Sequence, residues 1–141
     1  MFSHVFVGAK DLETSRRFYD ATLGALGISP GQPDNEGRVI YITRRGVFGI
    51  TLPIDGNAAT HGNGVTVGFA ARTKEEADAW HAAGTATGGA ACEDPPGARV
   101  GRWGPLYLAY LRDPAGNKLC CLHQLPVPDS AGQEIEGGFS D

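Results

Sequence analysis

Three cysteines, four histidines and a group of arginines set among aromatic rings are the residues best able to do chemistry in this 141-residue chain. Cys120 and Cys121 are adjacent at the end of the stretch RDPAGNKLCC, residues 112–121. Two such thiols can ligate a soft metal, form a redox pair, act as nucleophiles or fill a core. Consecutive strand side chains point to opposite faces, so only one of the two can serve any one site. With Cys92 the count is odd and no C-x-x-C spacing occurs, so the thiols are expected to be reduced. Cys92 has no partner at a useful spacing. A thiolate role would need a lowered pKa, supplied by a neighbouring histidine or metal. His123 shares the face of Cys121 by alternation, away from Cys120. His4 opens the first apolar run, either as a hydrogen-bonded structural histidine or as a ligand or proton carrier. His61, in ATHGNGV, reads as a solvated loop histidine.

A second chemistry is recognition. The stretch EDPPGARVGRWGPLY, rich in Gly and Pro, carries Arg99, Arg102, Trp103 and Tyr107, with Tyr110 in the strand after it. It reads as a loop. Guanidinium groups beside aromatic rings can bind a planar or anionic small molecule. The plainer reading is a solvent-facing loop with one anchored tryptophan.

The elements that would carry these residues are written twice. Laying SHVFVGAKDLETSRRFYDATLGALG (3–27) on VTVGFAARTKEEADAWHAAGTATGG (65–89) sets Val5 on Val67, Val7 on Phe69, Glu13 on Glu75, Phe18 on Trp80 and Gly27 on Gly89, a constant shift of 62. Each copy opens with an alternating strand pattern and continues as a helix ending at glycine. Asp11 can cap the first helix, and Thr73 with Glu76 makes a capping box for the second. Strands RVIYIT (38–43) and VFGITLP (47–53) follow the first helix, joined by Arg44, Arg45 and Gly46. LYLAYLR (106–112) and KLCCLHQL (118–125) follow the second, joined by the Asp-Pro turn. The expected fold is α+β, two repeated βαβββ modules.

Alternation then assigns faces. Val5, Val7, Val65, Val67, Phe69, Phe48, Ile50 and Leu52 are expected under the helices. His4, Phe6, Gly8, Thr66, Gly68, Val47, Gly49 and Thr51 are expected on the opposite face. The small residues there suggest a sheet curving around a hollow. If Arg112 opposes Lys118, Tyr110 pairs with Cys120, which puts Cys120 in the hollow and Cys121 in the core.

Composition excludes several partners. A chain with 41% hydrophobic residues supports one domain of this length, expected over 1–125, with modules of about 1–55 and 64–125. Net charge is −4 and the twelve Lys and Arg are scattered, so no basic stripe serves a nucleic acid. No window approaches the roughly 20 apolar residues that span a bilayer, and no secretory leader pattern opens the chain, so a cytoplasmic protein is expected. Residues 126–141 mix Pro, Gly and acidic residues without periodicity and read as a flexible tail.

FSHVFVGAKDLETSRRFYDATLGALG, GNGVTVGFAA and YLAYLRDPAGNKL, in that order and spacing over about residues 2–125, resemble the vicinal-oxygen-chelate superfamily of glyoxalase I, bleomycin-resistance proteins, fosfomycin-resistance enzymes and extradiol dioxygenases. The resemblance implies curved sheets forming an open barrel around a metal or ligand, and commonly a homodimer. It also implies a divalent metal such as Zn, Ni, Fe or Mn held by one side chain from the first and one from the last strand of each module. His4 falls on the first ligand position, but Thr51, Thr66 and Cys120 stand where Glu, His and Glu are expected. Threonine hydroxyls are poor ligands for such metals. The metal candidates are therefore His4 and Cys120, and the substrate-binding candidates Thr51, Thr66, Arg102, Trp103 and Tyr110. Two functions are implied. One is a glyoxalase-like lyase or isomerase, or less readily a dioxygenase, with an atypical metal site. The other is a metal-free small-molecule binder of the bleomycin-resistance kind.

Overall fold

The computed structural model describes residues 1–128 and 134–135; most of the expected tail lies outside the described residues. In chain order the elements are β1 (His4–Gly8), α1 (Leu12–Ala25), β2 (Gln32–Pro33), β3 (Arg38–Thr43), β4 (Gly46–Thr51), β5 (Val67–Ala70), α2 (Lys74–Ala86), β6 (Ala90–Ala91), β7 (Gly97–Gly101), β8 (Gly104–Arg112), β9 (Lys118–Gln124), β10 (Val127–Pro128) and β11 (Glu134–Ile135). The first sheet runs β1-β4-β3-β2 and the second β5-β9-β8-β6, with β7 also on β8. In each, the opening strand lies parallel to the last long strand, β1 to β4 and β5 to β9. The same connectivity twice, in two open sheets each backed by a helix, is the α+β fold of repeated modules.

Helix starts follow the sequence closely. The Asp11 carboxylate accepts from Thr14 N–H at 3.1 Å, and Thr73 Oγ1 accepts from Glu76 N–H at 3.1 Å. Glu76 reaches back one residue past the cap, to Arg72 N–H at 2.8 Å. Both helices end at a left-handed glycine, Gly27 (φ 82°) and Gly88 (φ 93°). That is a shift of 61 where the caps keep 62, because α2 is one residue shorter.

The helices bury Ser15, Phe18, Tyr19, Thr22 and Leu23 from α1, and Ala77, Trp80 and Gly84 from α2, at helical spacing. With Tyr41, Ile50, Leu111, Leu119 and Cys121 they form one core shared by both sheets. Gly84 has no side chain because a Cβ there would collide with Leu111. Phe48 of β4 meets Phe69 of β5 edge-on, centroids 5.1 Å apart, which joins the sheets across their boundary.

Two faces were assigned too far along the chain. Leu52 is 44% exposed and Val65 56%, because β4 ends at Thr51 and β5 begins only at Val67. The stretch read as a loop is also different. Gly97–Gly101 forms β7, a hairpin on β8 that pairs Gly101 with Gly104.

The Asp-Pro turn holds the modules together. Asp113 is buried, and one carboxylate oxygen accepts from Ala115 N–H and Asn117 N–H, each at 2.9 Å. The other accepts from Tyr19 O–H of α1 at 2.5 Å and Asn117 Nδ2 at 2.8 Å. Asn117 Nδ2 also donates to the carbonyl of Gly8, the last residue of β1, at 2.9 Å. Burial and the adjacent carboxylate push the Tyr19 pKa well above its ordinary value. The segment between the modules closes over this end: the Ala59 side chain rests on Gly8, and His61, an exposed loop histidine as expected, lies against Gly116.

Candidate functional site

On the face of the first sheet opposite its helix, the space at Gly49 is filled. β1 and β4 pair Phe6 with Gly49, and a Cβ on Gly49 would overlap the Phe6 ring. The missing side chain therefore seats Phe6, where the composition of the face had pointed to empty space. Arg38 lies over the same ring, 5.8 Å from its centroid, and His4 meets it edge-on at 5.9 Å. His4 is exposed, with Nδ1 2.8 Å from Ser3 Oγ.

Register separates the candidates of this sheet. His4 stands opposite Val47, whereas Thr51 stands opposite Gly8. They are four residue steps apart, about 13 Å along a strand. The Thr51 hydroxyl donates to the carbonyl of Leu52 at 2.8 Å.

On the second sheet Tyr110 pairs with Cys120, and Cys120 with Gly68. Cys120 stays outside the helix-packed cluster that contains Cys121, so alternation sorts the two thiols as expected. Burial pushes the Cys120 pKa up; contact with Tyr110 opposes this without reversing it. Burial pushes Cys121 up to about 12. Both are thiols at neutral pH. Lys118 lies 5.3 Å from the Tyr110 ring centroid and pairs with Glu93 at 3.1 Å. Thr66 is exposed and precedes β5. Arg102 and Trp103 stack on each other at the tip of the β7–β8 hairpin, 5.8 Å from guanidinium to ring centroid, with Trp103 78% exposed.

A cleft that sequence reasoning did not locate opens between the edge strands β1 and β5. Its volume is about 810 Å³, within the range of small-molecule sites. Core side chains Leu26, Phe48, Val67 and Phe69 face it, with Leu122 from β9. Arg44 and Arg45 of the β3–β4 turn and Arg72 after β5 border it, as do His4 and His123. His123 Nδ1 lies 3.2 Å from the Ala71 carbonyl, which fixes the ring. The one carboxylate at the cleft among the described residues, Glu76, is bound to the Arg72 guanidinium at 2.7 and 2.9 Å. Burial opposes its charge, but Arg72 outweighs this and lowers its pKa. Gln124 Oε1, also at the cleft, is shielded from solvent without a hydrogen-bond partner among the described residues. Of the candidates read from the sequence, only His4 borders this cleft. Its one legible signal was the arginine pair at the β3–β4 turn; the apposition of β1 and β5 is not local.

The donor set does not suit a divalent cation. It offers one imidazole, one thiol, one hydroxyl already donating and one hydroxyl outside the sheet, and the two threonine hydroxyls are poor ligands. Among the described residues, no three His, Cys, Asp or Glu side chains group as a metal cage.

The family model of the Glyoxalase/Bleomycin resistance protein/Dioxygenase superfamily matches residues 1–121. The chain is similar to a glyoxalase/bleomycin resistance protein from Albidiferax ferrireducens, with 62% identity over 87% of this chain and 98% of that one and a TM-score of 0.85. It shares its fold with a glyoxalase-related enzyme from Fulvimarina pelagi, at 20% identity, 96% coverage of each chain and a TM-score of 0.67. A glyoxalase/bleomycin resistance protein/dioxygenase family enzyme from Burkholderia phytofirmans gives 19% identity, 85% and 95% coverage and a TM-score of 0.64. No curated protein matches the sequence. No helix among the described residues is long and apolar enough to cross a membrane. A match over 121 of 141 residues, on a fold built twice from the same module, places the chain in the Glyoxalase/Bleomycin resistance protein/Dioxygenase superfamily.

Proposed function

We propose that this superfamily member is a metal-independent protein that binds a small molecule in the cleft between β1 and β5. The observation that carries the reading is the cleft itself, which is large enough for a ligand and combines an apolar interior with a polar border. The poor donor set at the family's metal positions supports it. The reading includes a homodimer in the cytoplasm: the reduced cysteines suit that compartment, and exposed Ile42, Val100 and Trp103 offer apolar surface for a second copy. Protein purified without chelator should carry no stoichiometric divalent metal, and its thermal midpoint should not move with EDTA. One ion per chain, lost in His4→Ala or Cys120→Ala, would overturn the metal-independent reading.

A second reading, a lyase or isomerase, draws on one observation: the register sets Tyr110 beside Cys120, with Lys118 over the ring. Such a cluster can move a proton. In that case the substrate would sit beside Tyr110 and Cys120, neither of which borders the cleft, and Tyr110→Phe and Cys120→Ala would each abolish turnover while leaving binding in the cleft intact.

A further inference from the structure

We infer, resting on the cleft as the binding site, that its ligand is an amphipathic carboxylate, an apolar chain or ring system ending in one anionic group. The chain as a whole is acidic, with net charge −4. Yet among the described residues this opening sets two guanidiniums, Arg44 and Arg72, against one carboxylate, Glu76. That local inversion of sign favours an anion.

The number of charges follows from the partners. Arg72 is held by Glu76 through two guanidinium bonds, so the pair is close to neutral. Arg44 has no ion-pair partner among the described residues and is exposed at the turn. One uncommitted guanidinium presents a planar fork that matches a carboxylate and suits a single negative charge better than two. Inward from that border, Leu26, Phe48, Val67, Phe69 and Leu122 offer an apolar surface that would exclude a compact polar anion and take a hydrocarbon body. The unpaired Gln124 Oε1 indicates that an occupant with a donor would also be received.

Isothermal titration of the full chain with four probes, all below their micelle concentrations, tests this: decanoate, decanol, decylamine and decyl phosphate. Decanoate should bind one per chain, with decanol weaker by about 10-fold or more, roughly one ion-paired hydrogen bond in free energy. Decylamine should not bind, and decyl phosphate should bind no tighter than decanoate. Arg44→Gln should lower decanoate to the level of decanol and leave decanol unchanged. Val67→Trp should remove both, because Val67 faces the cleft and is only half-buried. Val5→Trp, across the cleft on β1 and also half-buried, serves as the second blocking variant. Equal affinity for decanoate and decanol, both lost in the blocking variants, would overturn the anionic ligand while leaving the cleft in place. Tighter binding of decylamine or decyl phosphate would overturn the carboxylate. Binding that survives both blocking variants, or no binding of any probe, would overturn the cleft as the site.

Discussion

At one end of the boundary between the sheets, Asp113 and Asn117 tie the β8–β9 turn to α1 and to the end of β1, and Ala59 and His61 cover the join. At the other end, the corresponding β3–β4 turn has only Arg44 and Arg45 between its strands, and the space beside it is the cleft. The two ends are built from the same module, yet only one received a buried carboxylate and an amide able to bridge to the neighbouring strand. The difference shows how a repeated fold divides labour: the closed end fixes the modules relative to each other, which lets the open end remain unfilled.

Substitutions should separate the ends, with the greatest effect at the closed one. Asp113→Ala leaves Tyr19, Asn117 and two backbone N–H groups without their shared acceptor, and should cost about 3–5 kcal/mol in urea unfolding. A loss below about 1 kcal/mol would mean that the turn is not what joins the modules.

Gly116→Val should be the next most damaging. It adds strain at φ 95° and brings a Cβ within 2.7 Å of the His61 ring, for about 2–3 kcal/mol. The same loss should shrink in His61→Ala, which a double-mutant cycle measures.

Tyr19→Phe should cost about 1–2 kcal/mol, one hydrogen bond to a charged acceptor. It should also change alkaline behaviour. Below a pH of about 10, the ordinary tyrosine pKa, Tyr19 is protonated in both states and its contribution is complete. Above it the unfolded chain loses a proton that the folded chain keeps, since burial and Asp113 raise the folded pKa. Stability should fall as pH rises past about 10, and less steeply in Tyr19→Phe. Tyr41, raised by burial and by its bond to Asp20, contributes to the remaining slope, as do Tyr107, Tyr110, Cys120 and Cys121, all raised in the fold.

The smallest effect belongs to the open end. Arg44→Gln should leave the thermal midpoint unchanged within error, since the side chain is exposed and has no ion pair among the described residues. A clear loss of stability there would erase the distinction between the ends.

The repeat was legible because it is local. Capping residues Asp11 and Thr73, the apolar spacing of both helices and the alternation that parts Cys120 from Cys121 all act within a few residues. Errors arose where local pattern outran hydrogen bonding. Leu52 and Val65 continue an alternation beyond the last paired residue, and the Gly- and Pro-rich run at 93–107 hid a hairpin whose partner, β8, supplies its order. The occupant at Gly49 was illegible for a similar reason: the glycine signals missing volume, but only the register names Phe6 as what fills it. The cleft depends on the approach of β1 and β5, about sixty residues apart in sequence, which no window of residues encodes.

The Tyr19–Asp113 and Asn117–Gly8 bonds span 94 and 109 residues of chain. Contacts of such separation carry the greatest loop-closure cost and tend to form last, after each module has assembled its own strands and helix. A late contact is absent from the transition state, so its removal acts on the exit from the native state rather than on the approach to it. The Asp-Pro turn is therefore a kinetic latch. Tyr19→Phe, which removes the long-range bond and keeps the local bonds of the turn, should leave the refolding limb of a chevron plot almost where it was and lift the unfolding limb, shortening the lifetime of the native protein far more than it slows its formation.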